Sequence, residues 1–120
     1  MKQLQKDLTT PEQSKRLLEL GVPKVTANYY YDSRDFKPQA HEVRGHYNEE
    51  DSYAARHGYK ITPLWSVGRL IRIVSVCCTD DNVKDEIAIE VMFSNKNSAQ
   101  LIIEMMSEYA YVMDFSKLEE

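Results

Sequence analysis

All three histidines of this chain lie in one irregular stretch, residues 32–57, where charges of both signs alternate with a proline and a glycine. Imidazole and carboxylate groups together suit zinc, manganese or iron, so His41, His46 and His57 are candidate metal ligands. One hypothesis is therefore a metal-dependent enzyme built on this stretch. The spacing of the histidines follows no known ligand pattern, and the alternative is a solvated, charged loop. The neighbouring carboxylates are Glu42, Glu49, Glu50 and Asp51.

A second group of residues combines positive charge with aromatic rings. Basic side chains interleaved with aromatic rings are one way to bind single-stranded nucleic acid, because bases stack on the rings while cations contact the phosphates. The alternative is that the two arginines of this group keep the polar side of a helix in water, or pair with acidic residues later in the chain. The candidate binding residues are Lys60, Trp65, Arg69 and Arg72, with Arg56, Tyr53 and Tyr59 nearby.

Other catalytic chemistry has little support in the sequence. Ser66 and Ser75 have no histidine close to them in sequence, and Gly68 stands alone instead of forming a glycine-rich phosphate loop. The adjacent Cys77 and Cys78 are predicted to be free, largely buried thiols, because neighbouring cysteines rarely satisfy disulfide geometry. The pattern argues against an enzyme, and no cofactor is predicted.

Composition limits the class of protein. A chain of 120 residues with 42% apolar content is sufficient for one domain with its own core, spanning residues 1–120. No apolar run reaches the length of a membrane span, and the polar start of the chain lacks the apolar centre of a secretory signal. Together with the free thiols, these features predict a cytoplasmic protein without membrane contact.

The net charge of −4 is unevenly distributed along the chain. Residues 1–80 hold 12 Lys and Arg against 10 Asp and Glu, whereas residues 81–120 hold 3 against 9. An acidic final third repels phosphates, so nucleic-acid binding by the whole surface is disfavoured. A local basic patch in the first two thirds remains compatible with this distribution.

The residue types at positions 10–62 predict a helix, two strands and a long connection. Thr10 and Gln13 form a capping-box pattern around Pro11, and Gly21 is suited to end the helix. Residues 25–32 are rich in β-branched and aromatic side chains and indicate a strand. The connection 32–57 contains at most a short helix near residues 49–56, and a short second strand at residues 58–62 follows it.

The second half of the chain predicts two helices and one strand. Thr62 and Pro63 look like the start of a helix so apolar that we expect it to be central, or to lie between subunits. Residues 86–93 alternate in polarity like a half-buried strand, with Ile87, Ile89, Val91 and Phe93 facing inward. Asn97 is expected to cap a final helix before a polar tail at residues 114–120. The core side of this final helix should carry Ile102, Met105, Met106, Tyr109 and Met113.

These elements define an α+β fold. The expected arrangement is a small antiparallel sheet of about three strands, with three helices packed mainly on one face. In this order of elements, the long loop at residues 32–57 is the least regular part of a single domain.

Three stretches resemble a family of small uncharacterised proteins of Bacteroides and related gut bacteria, often found in phage-like or mobile elements. They are TPEQSKRLLELGVP at residues 10–23, the Pro-x-Trp-Ser-x-Gly-Arg-Leu block at residues 63–70, and the late amphipathic helix. The resemblance spans most of the chain but not residues 32–57. It implies a small accessory protein of phage or mobile-element origin, and it assigns no role to Trp65, Ser66, Gly68 or Arg69.

The leading hypothesis is a non-enzymatic accessory or protein-interaction protein whose partner is another protein or a second copy of the chain. It depends on the nearly all-round apolar helix and on the lack of a catalytic constellation. The alternative is a nucleic-acid-associated protein that uses the Arg, Lys and Tyr residues named above. The third hypothesis is the metal-dependent enzyme on the loop histidines.

Overall fold

A computed structural model describes residues 7–94 and 96–118 of the chain. The start of the predicted polar segment, residues 1–6, and the end of the predicted polar tail, residues 119–120, lie outside the described residues. Short 3₁₀ turns occur at Lys24–Thr26, Ala110–Val112 and Phe115–Leu118. The helices and strands of this part of the chain are α1 (Pro11–Leu20), β1 (Tyr29–Asp32), β2 (Ala40–Glu42), α2 (Tyr47–Arg56), β3 (Ile61–Leu64), α3 (Val67–Cys77), α4 (Asp81–Phe93) and α5 (Ser98–Glu108).

The three strands form one antiparallel sheet in the order β2-β1-β3. Tyr30 of β1 pairs with His41 of β2 on one side and with Pro63 of β3 on the other. The predicted α+β class and the number of strands are confirmed. The helices in the described residues are five instead of three, and the sheet contains a strand that was not predicted.

The long loop predicted at residues 32–57 is only partly irregular. It contains the edge strand β2 and the helix α2, which extends the short helix expected near residues 49–56. Tyr47, in the first turn of α2, is fully buried and its hydroxyl donates to the carbonyl of Ile61 in β3. This contact anchors the helix to the sheet, so the stretch is a packed part of the domain.

The segment at residues 86–93 is helical, so the predicted strand is wrong. Asp80 caps α4, because its carboxylate accepts from the backbone N–H groups of Asn82 and Val83. Val83 and Ile87 are buried one helical turn apart, while Ile89 and Phe93 remain exposed. The alternating pattern therefore arises from apolar residues on two different sides of a helix.

The start of α3 also differs from the prediction. Thr62 and Pro63 belong to β3, which is an edge strand and can therefore accommodate a proline. The helix begins four residues later than Pro63, after Ser66, whose hydroxyl accepts from the Arg69 backbone N–H at 3.1 Å. Pairing with β1 therefore takes the residues that resemble a helix cap into the sheet.

The two ends of α1 and the start of α5 are where the sequence placed them, whereas α5 ends at Glu108, before Tyr109 and Met113. Thr10 and Gln13 make both hydrogen bonds of the capping box, and Gly21 ends α1 with a φ of 103°. Asn97 caps α5 by accepting from the Gln100 backbone N–H at 2.9 Å. These signals hold because each one acts within a single helical turn.

The central helix of the domain is α5, whereas α3 was expected to be central or to lie between subunits. α5 packs against α1, α3 and α4, and the predicted core residues Ile102, Met105 and Met106 are buried in it. Tyr109 and Met113, which follow α5, are partly buried against the same core. The polar tail also contributes, because the turn Phe115–Leu118 packs on α3.

One side of α3 is open to solvent, which contradicts a helix buried all round. The buried residues Val67, Leu70, Ile73, Val74 and Cys77 lie on one side of it. The opposite side is exposed at Ile71, Arg72, Ser75 and Val76. No helix in residues 7–94 and 96–118 is long and apolar enough to cross a membrane.

Candidate functional site: an open surface on α3 and α4

The structure does not bring the four predicted binding residues together. Trp65 is fully buried, and its indole N–H donates to the Thr26 hydroxyl at 2.9 Å. Lys60 is exposed beside the sheet, where its backbone N–H donates to the Ser33 hydroxyl at 3.0 Å. Trp65 is thus part of the core, and the predicted Lys60–Trp65–Arg69–Arg72 surface is not continuous.

Arg69 and Arg72 do share a shallow cleft at the start of α3. This cleft has a volume of about 460 Å³ and is lined also by Asn28, Ser66 and Gly68. Asn28 and Ser66 exchange two hydrogen bonds there, at 2.9 and 3.0 Å, which hold β1 against the start of α3. Within the described ranges neither arginine forms an ion pair, so the predicted pairing with the acidic final third is not seen.

The histidines are separated and each has a local contact. His41 in β2 contacts the Asp35 carboxylate at 2.6 Å and stacks on Tyr30. His57 stacks on Tyr53 with ring centroids 4.1 Å apart, and His46 precedes the first turn of α2. In the part of the chain that the structure describes, no three His, Cys, Asp or Glu side chains converge to hold a metal. The metal hypothesis therefore lacks a site among these residues.

The aromatic residues near the end of α2 form a closed stack. The Arg34 guanidinium lies 3.7 Å from the centroid of the Tyr59 ring, and the Tyr59 and Tyr53 rings meet edge to face. Asp32 fixes this guanidinium at 2.6 Å, and the hydrogen bond from Arg34 lowers the pKa of the Asp32 carboxyl. One face of the Tyr59 ring is thus occupied by Arg34, and one face of the Tyr53 ring by His57.

The two thiols are free and buried, as the sequence predicts. Burial raises the pKa of Cys77 to about 11, so this thiol stays protonated at neutral pH and is a poor nucleophile. The Cys78 thiol donates to the carbonyl of Asp80 at the start of α4. Both cysteines therefore act as small core residues.

An apolar groove runs between α3 and α4, with α5 beneath it. Its volume is about 410 Å³, and Ile71, Val74, Ile87, Val91 and Ile102 supply most of its apolar lining. The groove exists because α4 packs on α5, and α3 packs on α5 and on the turn Phe115–Leu118, while α3 and α4 have few contacts with each other. Apolar side chains are thereby left accessible between two helices.

The apolar surface continues from the groove over the last two turns of α4. Met92, at the edge of the groove, is 72% exposed, and Phe93 beside it is 77% exposed. Ile89 lies three residues before Met92 and is 55% exposed, so these residues are neighbours on the helix surface. Contiguous apolar patches of this kind on a small domain mark interaction sites, whereas single exposed apolar residues do not. The groove and these residues are called the α3–α4 surface below.

Charged residues of opposite sign lie on the two helices of the α3–α4 surface. Arg72 is exposed in the middle of α3, and Asp85 lies at the edge of the groove on α4. Lys84 is beside Asp85, but its ammonium is 3.9 Å from the Asp81 carboxylate. The surface therefore combines an apolar centre with charges of both signs at its edges.

The sequence analysis missed the contribution of α4 to this surface. Read as a strand, residues 86–93 place Ile89 and Phe93 on the same buried face as Ile87. The signal that points to a helix is Asp80, a good N-cap that stands three residues before Val83 and seven before Ile87. With α4 read as a helix, Ile89, Met92 and Phe93 are left without a place in the core.

The fold and the site together define a small α+β domain that presents an open apolar surface on two helices. No known protein-family model matches the chain, and comparisons with curated proteins and with solved structures find no significant match. The resemblance to small proteins of gut bacteria therefore stays a prediction. What can be said about function depends on the α3–α4 surface itself.

Proposed function

We propose that this chain is a non-enzymatic interaction protein that binds another protein through the α3–α4 surface. The observation that carries the proposal is the continuous run of exposed apolar side chains from the groove to Met92 and Phe93. Burying such side chains against a partner removes apolar area from water, and this is the main favourable contribution to most protein association. Aromatic residues and methionine are also enriched at protein interfaces.

The residues elsewhere in the domain that could carry chemistry support the same proposal, because they already have structural contacts. The side chains that might carry chemistry have structural contacts: His41 with Asp35, His57 with Tyr53, and Cys77 within the core. The exposed residues of the α3–α4 surface have no comparable packing role within the domain. A free surface without a chemical group at its centre fits binding better than catalysis.

The setting of this function is also a proposal. Two free adjacent thiols favour the cytoplasm, which is a reducing compartment. An accessory role in a phage-like or mobile element follows only from the resemblance of residues 10–23 and 63–70. The fold is compatible with such a role and does not depend on it.

Site-specific photo-crosslinking tests the proposal. A photoreactive phenylalanine analogue replaces Phe93 on the α3–α4 surface in one variant, and Phe36 in a matched control variant. Phe36 is 96% exposed in the turn between β1 and β2, so both positions offer an accessible ring on different parts of the domain. After irradiation in cells that naturally contain the protein, we expect protein adducts at position 93 and few at position 36. Equal adduct yields at both positions, or none at position 93, would contradict the proposal.

A further inference from the structure

We propose that the partner on the α3–α4 surface is an amphipathic helix of another protein, whose apolar side enters the groove and whose basic residues face α4. This inference rests on the proposed function, because it names the chemistry of the partner on the same surface. Helices that lie in apolar grooves are a common mode of protein recognition, in which side chains at positions i, i+3 or i+4, and i+7 enter the groove. The lining of the groove and the charges of α4 each support one part of the proposal.

The lining of the groove favours a helix over an extended segment. Apolar side chains form most of it, and the polar side chains that line it are Ser75, Lys84 and Asp85. An extended segment would bring backbone N–H and C=O groups against the apolar side chains, where these groups would lose hydrogen bonds to water without replacement. A helix makes the backbone hydrogen bonds within itself and presents side chains to the groove. A helical occupant therefore avoids a desolvation penalty that an extended one would incur.

The length of the groove indicates how many side chains of the partner enter it. The lining residues on α4 extend from Lys84 to Met92, and a separation of eight residues corresponds to about 12 Å of helix. Two turns of a partner helix have about the same length, so three of its side chains fit, at positions i, i+3 or i+4, and i+7. Ile71 and Val74 on α3, with Ile102 beneath them, provide the apolar surface that these side chains contact.

The exposed charges of α4 are mainly negative. This helix carries four acidic residues and one lysine, and the ammonium of that lysine, Lys84, lies 3.9 Å from the Asp81 carboxylate. Asp85 is exposed at the edge of the groove, and Glu90 is exposed three residues before Phe93, so acidic side chains border the apolar surface in two places. Basic residues of a partner would therefore meet opposite charges along α4.

The arginines of α3 decide which flank of the partner helix is basic. Arg69 and Arg72 line the separate shallow cleft at the start of α3, and neither lines the groove. Positive charge is thus found on α3 outside the groove, and negative charge is found along α4. Because complementary charges fix the orientation of two partners, the flank that faces α4 should carry Lys or Arg, and the flank that faces α3 should not.

Binding of designed peptides to the whole chain tests the inference. The first probe is a fluorescent peptide of about 18 residues, with Leu at the positions that enter the groove, Lys on one flank and Ala elsewhere. The second probe carries Glu in place of Lys, and the third is the first with a proline at its centre, which breaks the helix. By fluorescence anisotropy we expect the Leu/Lys peptide to bind with a Kd of about 10–100 μM, and the other two to bind about tenfold more weakly or less.

Charge reversals on the protein locate the contact. Asp85→Lys should weaken binding of the Leu/Lys peptide by about threefold to tenfold, and Asp85→Lys/Glu90→Lys should bind the Leu/Glu peptide more tightly than the Leu/Lys peptide. Met92→Asp should weaken binding of the Leu/Lys peptide by more than about tenfold, because it places a charge in the apolar contact. Glu42→Lys makes the same change of charge at an exposed position of the edge strand β2 and should leave the preference unchanged. Circular dichroism of each variant verifies that the exposed substitutions leave the fold intact.

The inference makes commitments that these measurements can contradict. Equal binding of the Leu/Lys and Leu/Glu peptides, or no binding of the Leu/Lys peptide up to about 1 mM, would overturn it. Undiminished binding of the proline peptide would exclude a helical occupant, and an Asp85→Lys variant that binds like Glu42→Lys would exclude contact with the acidic edge of the groove. A dimer of the wild-type chain in sedimentation, lost in Met92→Asp, would also overturn it, because the surface would then have another occupant.

The two proposals fail in different ways. Peptides that bind without regard to charge, or not at all, combined with protein adducts at position 93, would refute the basic helix and retain the interaction function. Lack of peptide binding together with lack of adducts at position 93 would refute both. Binding that prefers the Leu/Lys peptide, together with the reversed preference of the double variant, would support the basic helix.

Discussion

The indole N–H of Trp65 donates a hydrogen bond of 2.9 Å to the hydroxyl of Thr26, which itself donates to the carbonyl of Pro23 at 2.7 Å. This chain of bonds joins the largest core side chain to the turn between α1 and the sheet. The backbone of Trp65 is fixed as well, since its N–H donates to Thr9 and its carbonyl accepts from the Thr9 N–H. Trp65 is therefore held in place by both its side chain and its backbone.

Replacing Thr26 tests the energetic importance of this connection. Thr26→Val keeps the shape of the side chain but leaves the indole N–H without its partner, while the Pro23 carbonyl still accepts from the backbone N–H of residue 26 at 3.0 Å. We expect it to lower the free energy of unfolding by about 1–3 kcal/mol, whereas Thr26→Ser should cost much less because its hydroxyl remains. Urea unfolding of both variants measures the difference. Equal stability of the two variants would show that the hydroxyl contributes little.

The helical state of α4 predicts opposite consequences for two isoleucines that a strand would place on one face. Ile87 is buried in the core, so Ile87→Ala should lower the free energy of unfolding by about 2–4 kcal/mol. Ile89 points to solvent, so Ile89→Ala should change it by less than about 0.5 kcal/mol. Chemical unfolding of both variants at the same low protein concentration provides the measurement. Similar losses for both variants would instead support the strand.

The lowered pKa of Asp32 predicts that this residue contributes to the stability of the fold against acid. Hydrogen bonding to Arg34 lowers the pKa of the Asp32 carboxyl in the folded chain below its ordinary value. The resulting stabilisation is fully present above the unfolded pKa, near about 4, and is lost as the pH falls through the lower folded pKa. Asp32→Asn should therefore flatten the decline of unfolding free energy below about pH 5, measured by urea unfolding at several pH values.

Arg34→Lys is the matched control for this acid effect. Lysine keeps the positive charge but cannot make the forked contact with both carboxylate oxygens of Asp32, so we expect an intermediate pH dependence. An Asp32→Asn variant whose stability declines with acid as steeply as the wild type would show that other carboxyl groups dominate the acid transition.

The raised pKa of Tyr109, at the end of α5, predicts a corresponding effect at alkaline pH. Its hydroxyl donates to the Glu86 carboxylate, and this hydrogen bond raises the pKa of Tyr109 to about 12. Since the folded pKa lies above the unfolded value near 10, the stabilisation is present below about pH 10 and is lost as the pH rises through 12. The absorbance of tyrosinate should show late ionisation that decreases by one tyrosine in Tyr109→Phe; the rest remains, because burial also raises the pKa of Tyr47.

Glu86→Gln separates the charge of the partner from its capacity to accept a hydrogen bond. The amide still accepts from the Tyr109 hydroxyl but has no negative charge to oppose the phenolate. The pKa of Tyr109 should therefore fall towards its ordinary value in this variant. An unchanged titration would mean that the hydrogen bond to Glu86 does not control this tyrosine.

The sequence by itself determined the elements whose signals are local. The ends of α1 follow from Thr10, Gln13 and Gly21, and the start of α5 follows from Asn97, because each of these residues acts on backbone groups within one turn. The α+β class and the free thiols also followed from composition and pattern, whereas the number of strands agrees because the unpredicted β2 takes the place of the strand expected at residues 86–93. None of these features requires knowledge of which distant residues meet.

Only the tertiary structure decided the state of residues 86–93 and the position of the candidate site. Ile87 and Val91 are four residues apart, a spacing that keeps two side chains on the same face of either a strand or a helix. The choice was made by packing: α4 contacts α5, and the strand that completes the sheet is β2. For the same reason Thr62 and Pro63 entered β3, and Trp65 entered the core instead of a binding surface. Contacts between residues far apart in the chain settled these questions, because local patterns do not show which side of an element will be covered.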